Sequence, residues 1–299
     1  MEYHKPVLLR EAVDALQINP DGKYADVTFG GGGHSKEILK RLKEGILLAF
    51  DQDPDAHINA LKSDNFILIK QNFRHLKRYL KFYKAVPVDG LLADLGISSY
   101  QIDKPERGFS TRFESALDMR MDKNSSLTAK HVINHYSQEQ LQQLFSELGE
   151  VRNAKTLAVA IVKARGKKQI ETINEIKEIL KPLSPKGKEN QYFAQVFQAL
   201  RIEVNDELNA LKEMLQQSAE VMKKGGRLVV ISYHSLEDRL VKNYINKGKF
   251  EGEPEKDLYG NVQGLQYKSL TKKPVVPSEE EVHRNPRSRS ARMRIAEKI

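Results

Sequence analysis

The chain contains no cysteine, which excludes disulfides and thiolate metal sites and fits a reducing, cytoplasmic location. No apolar run approaches the length of a membrane span, and no membrane partner is expected. The start, Met1-Glu2-Tyr3-His4-Lys5-Pro6, lacks the apolar core of a signal peptide. No internal repeat is visible. What remains is a soluble chain of 299 residues, long enough for a substantial core, with 39% hydrophobic and 30% charged residues. Its net charge of +9 fits either a polyanionic partner or a merely basic surface.

Glycine, by contrast, is concentrated. Gly30-Gly31-Gly32-Gly33 follows the apolar run Tyr24 to Phe29 and precedes the helix-like run Ser35 to Leu42. Four glycines cost chain entropy and need a backbone reason. Strand, glycine loop and helix is the layout of a nucleotide-cofactor loop, with Ser35 placed to cap the helix and His34 at its mouth.

Further strands are read at Ile46–Phe50, Phe66–Ile69, Val88–Leu95 and Arg227–Ser232, and helices at Pro54–Leu61, Arg74–Tyr83 and Asn205–Lys224. Leu76, Leu80 and Tyr83 form the apolar side of the second helix. Alternating strands and helices predict an α/β fold with a doubly wound, mainly parallel sheet. From Thr128 to Leu180 the pattern is helical only, with apolar faces at Leu141, Leu144, Phe145 and Leu148 and at Ile170, Ile173, Ile176, Ile179 and Leu180. We therefore expect an α/β domain over 1–121 and 195–299, interrupted by an all-helical insertion at 122–194. Gly248–Arg289 reads as an extended loop. Met293 and Ile295 alternate with Arg292 and Arg294, predicting a final strand with a basic face.

The loop departs from the dinucleotide fingerprint, because Ser35 stands where the third glycine belongs. An acid at the end of the first strand followed by spaced glycines, here Asp26, Gly30 and Gly32, is the S-adenosylmethionine pattern. Asp51 ends the second strand, where a carboxylate meets ribose hydroxyls in either cofactor, and Asp94 ends the fourth. One such aspartate alone reads as a loop cap; two beside a glycine loop read as a site.

These residues closely resemble the small-subunit ribosomal RNA methyltransferase H family (RsmH, or MraW). The matching stretches include His4-Lys5-Pro6-Val7-Leu8-Leu9, Thr28 to Ser35, Asp51-Gln52-Asp53-Pro54 and Asp94 to Ser99. Others are Arg107-Gly108-Phe109-Ser110, Leu117 to Asp122, Phe197 to Ile202, Ile231 to Arg239, Pro277 to Glu281 and Asn285 to Ser290. The family often has an aromatic residue after Arg-Gly-Phe-Ser, where Thr111 stands here, and the insertion matches less closely.

The resemblance implies an S-adenosylmethionine-dependent α/β fold with a helical, RNA-recognising insertion. It implies N4-methylation of a cytidine in the decoding region of ribosomal RNA, free or in the assembled small subunit. By motif, the cofactor residues would be Gly32, Gly33, His34, Asp51, Phe73, Asp94 and Gln101. Spacing alone reads Phe73 as an ordinary core residue. A homodimer is compatible with this picture. The competing readings are a non-catalytic RNA-binding assembly factor and a DNA or small-molecule methyltransferase.

N4 of cytosine is a poor nucleophile, so a group that accepts its proton is needed, and Asp94 is the candidate. Ser232, Tyr233 and His234 follow the fifth strand at the same edge; they read as substrate contacts or as turn residues. A serine-hydrolase reading of this segment fails for lack of a nucleophile elbow. Lys163, Arg165, Lys167 and Lys168 in the insertion, and Arg284, Arg287, Arg289, Arg292 and Arg294 near the C-terminus, read as phosphate contacts or as solvated faces. His131 and His135 lack the glutamate of a zinc helix, and no metal is expected.

Overall fold

The computed structural model describes residues 6–260 and 262–299; residues 1–5, with His4 and Lys5 of the first matching stretch, lie outside them. In chain order the elements are α1 (Leu9–Ala15), β1 (Lys23–Asp26), α2 (Gly33–Leu39), β2 (Ile46–Phe50), β3 (Phe66–Ile69), α3 (Leu76–Phe82) and β4 (Val88–Asp94). Six helices follow: α4 (Ser99–Asp103), α5 (Ala129–His135), α6 (Gln138–Glu147), α7 (Ala154–Arg165), α8 (Ile173–Leu180) and α9 (Glu189–Asn205). The chain ends with α10 (Glu207–Val221), β5 (Met222–Ser232), α11 (Ser235–Lys247), β6 (Tyr267–Ser269), α12 (Glu279–Arg284) and β7 (Arg292–Lys298).

Two compact units result, Met1–Gly96 with Leu208–Ile299, and Ile97–Glu207. The first holds a seven-stranded sheet of order β3-β2-β1-β4-β5-β7-β6. The first five strands pair in parallel, and β7 pairs antiparallel with both β5 and β6. Strands buried on both faces are continuously apolar, as in Leu47, Leu48, Ala49 and Phe50, all fully buried. The order reverses between β1 and β4, so their C-terminal ends open the crevice where such sheets bind ligands. This is the expected doubly wound, mainly parallel sheet.

The second unit is wholly helical apart from one bridge. Its core joins Leu141, Leu144 and Phe145 of α6, Leu157, Ala158 and Ile161 of α7 and Ile173, Ile176 and Leu180 of α8. Phe109, Leu117, Met119 and Met121 pack into the same core, as do Val196, Phe197, Ala199, Leu200 and Val204 of α9. The unit is therefore wider than 122–194. Capping boxes start α6 at Ser137 and α8 at Thr172.

Several local expectations are corrected. Residues 54–61 form only a short 3-10 turn, Ala56–Asn59. The helix read over Asn205–Lys224 ends at Val221, because Met222 pairs with Val88 and begins β5. Gly248–Arg289 contains β6 and α12. Tyr83 is 39% exposed rather than on the buried side of α3, because it follows the helix as its C-cap.

Candidate active site

The glycine loop leaves β1 and enters α2. Gly30 and Gly32 have positive φ, 51° and 75°, which favours glycine at both. A Cβ on Gly32 would fall 2.9 Å from the Phe29 ring, and one on Gly33 would fall 2.1 Å from Pro6 Cγ. These two glycines allow close packing behind the loop. A Cβ on Gly31 would meet nothing within 4 Å, so the loop is open there. Ser35 does not cap α2; Gly32 is the N-cap, and the buried Ser35 hydroxyl donates to Asp26 Oδ2 at 2.6 Å. Asp26 Oδ1 accepts from the Thr28 N–H, so this acid braces the loop from beneath.

Asp51 braces it from the side. Its Oδ2 accepts from the Gly30 N–H at 2.7 Å and its Oδ1 from the Asp53 N–H at 2.8 Å. Burial pushes its pKa up to about 6 despite these bonds. A carboxylate has about four acceptor positions, so two remain for hydroxyl donors.

Asp94 ends β4. Its backbone N–H donates to Thr28 Oγ1 at 2.6 Å, and its Oδ1 accepts from the Tyr233 hydroxyl at 2.7 Å. Its Oδ2 lies 3.7 Å from His34 Nδ1, and its side chain is 20% exposed. Burial raises its pKa to about 7; the Tyr233 bond works against that rise, while Glu237 and Glu281 add to it. His34 is buried with Nε2 3.1 Å from the Val7 carbonyl, and burial holds its pKa down. Burial, with Asp94 next, raises the Tyr233 pKa well above the ordinary tyrosine value.

Glu281 was given no role from the sequence, yet it accepts from the Leu8 N–H at 2.9 Å across 273 residues. Glu237 accepts from the Tyr233 N–H at 2.9 Å, and its Oε1 lies 3.2 Å from His234 Nε2. No spacing signal joins Leu8 to Glu281, whereas Glu237 stands three residues after His234, at the spacing of a capping box. Asp94, Glu237 and Glu281 make this end of the sheet acidic, which suits a cationic ligand.

The remaining expected residues lie on several different elements. Phe73 begins a short turn after β3 and packs, partly buried, against the sheet core. Ser232 is buried, and its hydroxyl donates to the Arg292 carbonyl at 3.3 Å, across to β7. Arg289 is exposed and Arg287 half-buried, beside α12. Arg294 departs from expectation: its guanidinium pairs with both oxygens of Asp238, at 2.6 and 2.9 Å, and is buried. It is not a phosphate contact. In the helical unit, the Gln101 side chain accepts from the Ser98 N–H in a capping box. Arg165 donates to the Ile133 and Tyr136 carbonyls at the end of α5, so it too is engaged. Lys167 and Lys168 are exposed, Lys168 pairing with Glu175 at 2.5 Å.

The sequence profile described as the MraW methylase family matches residues 1–299. The chain belongs to the MraW methylase family. Relatives called ribosomal RNA small subunit methyltransferase H are similar over their whole length. The one from Cytophaga hutchinsonii is 59% identical over 298 residues, covering 99% of each chain. That from Flavobacterium johnsoniae is 56% identical, covering 100% of this chain and 99% of the relative. That from Parabacteroides distasonis is 54% identical, covering 99% and 98%.

A methylase of this family uses S-adenosylmethionine, and the residues present fit it. The loop is open at Gly31, Asp51 retains acceptor capacity for ribose hydroxyls, and the acidic edge complements a sulfonium cation. Among the described residues, no helix is long and apolar enough to cross a membrane.

Proposed function

We propose that this protein methylates the N4 amine of a cytidine in the decoding region of small-subunit ribosomal RNA. The relatives' names support ribosomal RNA as the substrate. The nucleotide and the atom rest on the motif resemblance and on one observation, the placement of Asp94. Its carboxylate stands at the crevice with a pKa near neutrality, held by Tyr233.

S-adenosylmethionine supplies a methyl group already activated on a sulfonium, so the protein has chiefly to bind, orient and exclude water. In this reading Gly32, Gly33 and His34 hold the cofactor at the loop. Asp51 takes its ribose, Phe73 its adenine, and Gln101 and Asp94 complete the set. Cytosine N4 has a lone pair delocalised into the ring. Asp94 accepts a hydrogen bond from N4–H, favours pyramidalisation and then receives the proton. Ser232, Tyr233 and His234 border the entering base. Lys167, Lys168, Arg287 and Arg289 contact phosphates, and the 122–194 segment serves RNA recognition in a cytoplasmic protein.

The test is transfer of labelled methyl to isolated ribosomal RNA and to assembled small subunits, followed by nucleoside analysis. N4-methylcytidine is expected, and label in any other nucleoside overturns the assignment. In Asp94→Asn, transfer should fall more than cofactor affinity, since proton acceptance is demanded only in the transition state. Equal losses would leave Asp94 with cofactor binding alone.

A further inference from the structure

The end of α3 lies at the opposite edge of the sheet from the crevice. Asp94 closes β4 at the crevice, whereas Lys23, Asp89 and Lys223 sit near the starts of β1, β4 and β5. A seven-residue strand separates the two edges by about 20 Å. Lys23 Nζ donates to the Lys84 carbonyl at 3.2 Å, which places the segment after α3 at this far edge.

Two aromatic rings are exposed there. Phe82 is 73% and Tyr83 39% exposed, and they meet edge to face at 5.0 Å. The inward side of α3 is already complete, with Leu76 and Leu80 fully buried. The exposed rings therefore add nothing to the core. Around them stand Arg78, Lys81 and Lys84, all exposed, and none is in an ion pair among the described residues. Their neighbours differ in this respect, for Lys77 pairs with Glu220 and Lys223 with Asp89.

Lys84 adds a backbone observation. The helix closes with Lys84 N–H to the Lys81 carbonyl and Ala85 N–H to the Leu80 carbonyl. That closure puts a left-handed residue where glycine is favoured, and here it is a lysine at φ 53°. A cation stands at a position its backbone does not favour.

We propose that this far edge is a second RNA-docking surface that takes a single-stranded segment. A base stacks on Phe82 and Tyr83 while phosphates lie against Arg78, Lys81 and Lys84. Unpaired cations around exposed rings match a polyanion with accessible π faces. A duplex keeps those faces inside its stack, so the matching form is a single strand. A protein partner would find two rings ringed by charge rather than a broad apolar patch. The inference rests on the reading that RNA is the substrate, and it places RNA contacts away from the methyl-transfer edge.

The test uses the full chain and a fluorescein-labelled, unstructured RNA oligonucleotide, titrated over a range of salt. Phe82→Ala should weaken binding about tenfold with an unchanged salt slope. Lys81→Gln with Lys84→Gly should flatten the slope by about 1.4 log units per log unit of salt, for two lost contacts. Lys84→Gly relieves the left-handed strain, so the fold should hold, and cofactor affinity should stay unchanged in both proteins. Unaltered affinity and slope in both would overturn the surface while leaving the RNA reading intact. Failure of the unsubstituted protein to bind RNA would overturn both. A dimer that Phe82→Ala dissociates, with RNA affinity unchanged, would assign the rings to a second copy of this chain instead.

Discussion

The Tyr233 hydroxyl donates to Asp94 Oδ1 at 2.7 Å, tying the turn after β5 to the end of β4. This bond favours the ionised carboxylate and so opposes the upward pressure of burial on the Asp94 pKa. Removing it in Tyr233→Phe raises that pKa further. If Asp94 accepts the N4 proton, kcat/KM for methyl transfer has an acid limb near pH 7. In Tyr233→Phe that limb should move up by about one pH unit, a loss of about tenfold well below it. Binding of S-adenosylmethionine measured by calorimetry should hold. An unmoved limb would detach Tyr233 from the protonation of Asp94.

Burial also makes stability depend on pH. Asp51 and Asp94 are raised from 3.8 to about 6 and about 7, and Asp26 is raised as well. Their protonated forms stabilise the fold fully below about pH 4, and that contribution is lost as the pH rises through the folded values. His34 acts in the opposite sense, since its pKa is lowered from 6.5 and its contribution is lost on acidification. Asp51 and Asp94 set the window, so the Tm of ligand-free protein should fall between about pH 4 and pH 7. Asp94→Asn should make that fall shallower. A Tm that rises across the window would show that these carboxylates stay ionised in the fold.

Asp51 stands between two roles, bracing the loop through Gly30 and offering acceptors to a ribose. Asp51→Ala should cost about 1.5–3 kcal/mol of S-adenosylmethionine affinity, the worth of a charge-assisted hydrogen bond. Calorimetry on a variant with native circular dichroism tests this. Unchanged affinity would confine Asp51 to the loop.

The sheet and its acidic strand ends were legible because buried parallel strands are near-continuous apolar runs. Ile46 to Phe50 and Leu228 to Ile231 show this plainly. The glycine loop was legible as a loop, but its bracing was not. The Gly30–Asp51 and Leu8–Glu281 bonds join residues 21 and 273 apart, and no local period encodes them. Short elements escaped for a different reason. Three-residue β6 and six-residue α12 are held by their neighbours, and they carry too few residues to show a period.

Arg294 illustrates the same limit. In the sequence it is one of five clustered arginines; in the fold β7 turns it inward onto Asp238. Arg294→Met should destabilise the protein by about 3–5 kcal/mol, since Asp238 is left buried and charged. Arg292, 3.7 Å from Asp238 Oδ2, recovers part of this. The double variant Arg294→Met with Asp238→Leu should regain much of the loss, because two apolar groups replace a desolvated pair. Urea unfolding of the parent and the two variants checks this. A single variant as stable as the parent would show that the pair contributes nothing.

Lys167 and Lys168 lie together after α7 and are both exposed. Lys168 pairs with Glu175, but this exposed pair is screened by solvent, so it does not hold the lysine back from a phosphate. If the target is the N4 of a cytidine, that base must lie outside a Watson–Crick pair, and the bound RNA is then single-stranded near it. On a single strand each phosphate contact contributes about 0.7 to the slope of log affinity against log salt. Lys167→Gln with Lys168→Gln should therefore lower the slope by about 1.4. Cofactor affinity and Tm should stay close to the parent values, because neither side chain supports the helical core. If the slope and the RNA affinity are both unchanged, this cluster is only a solvated face.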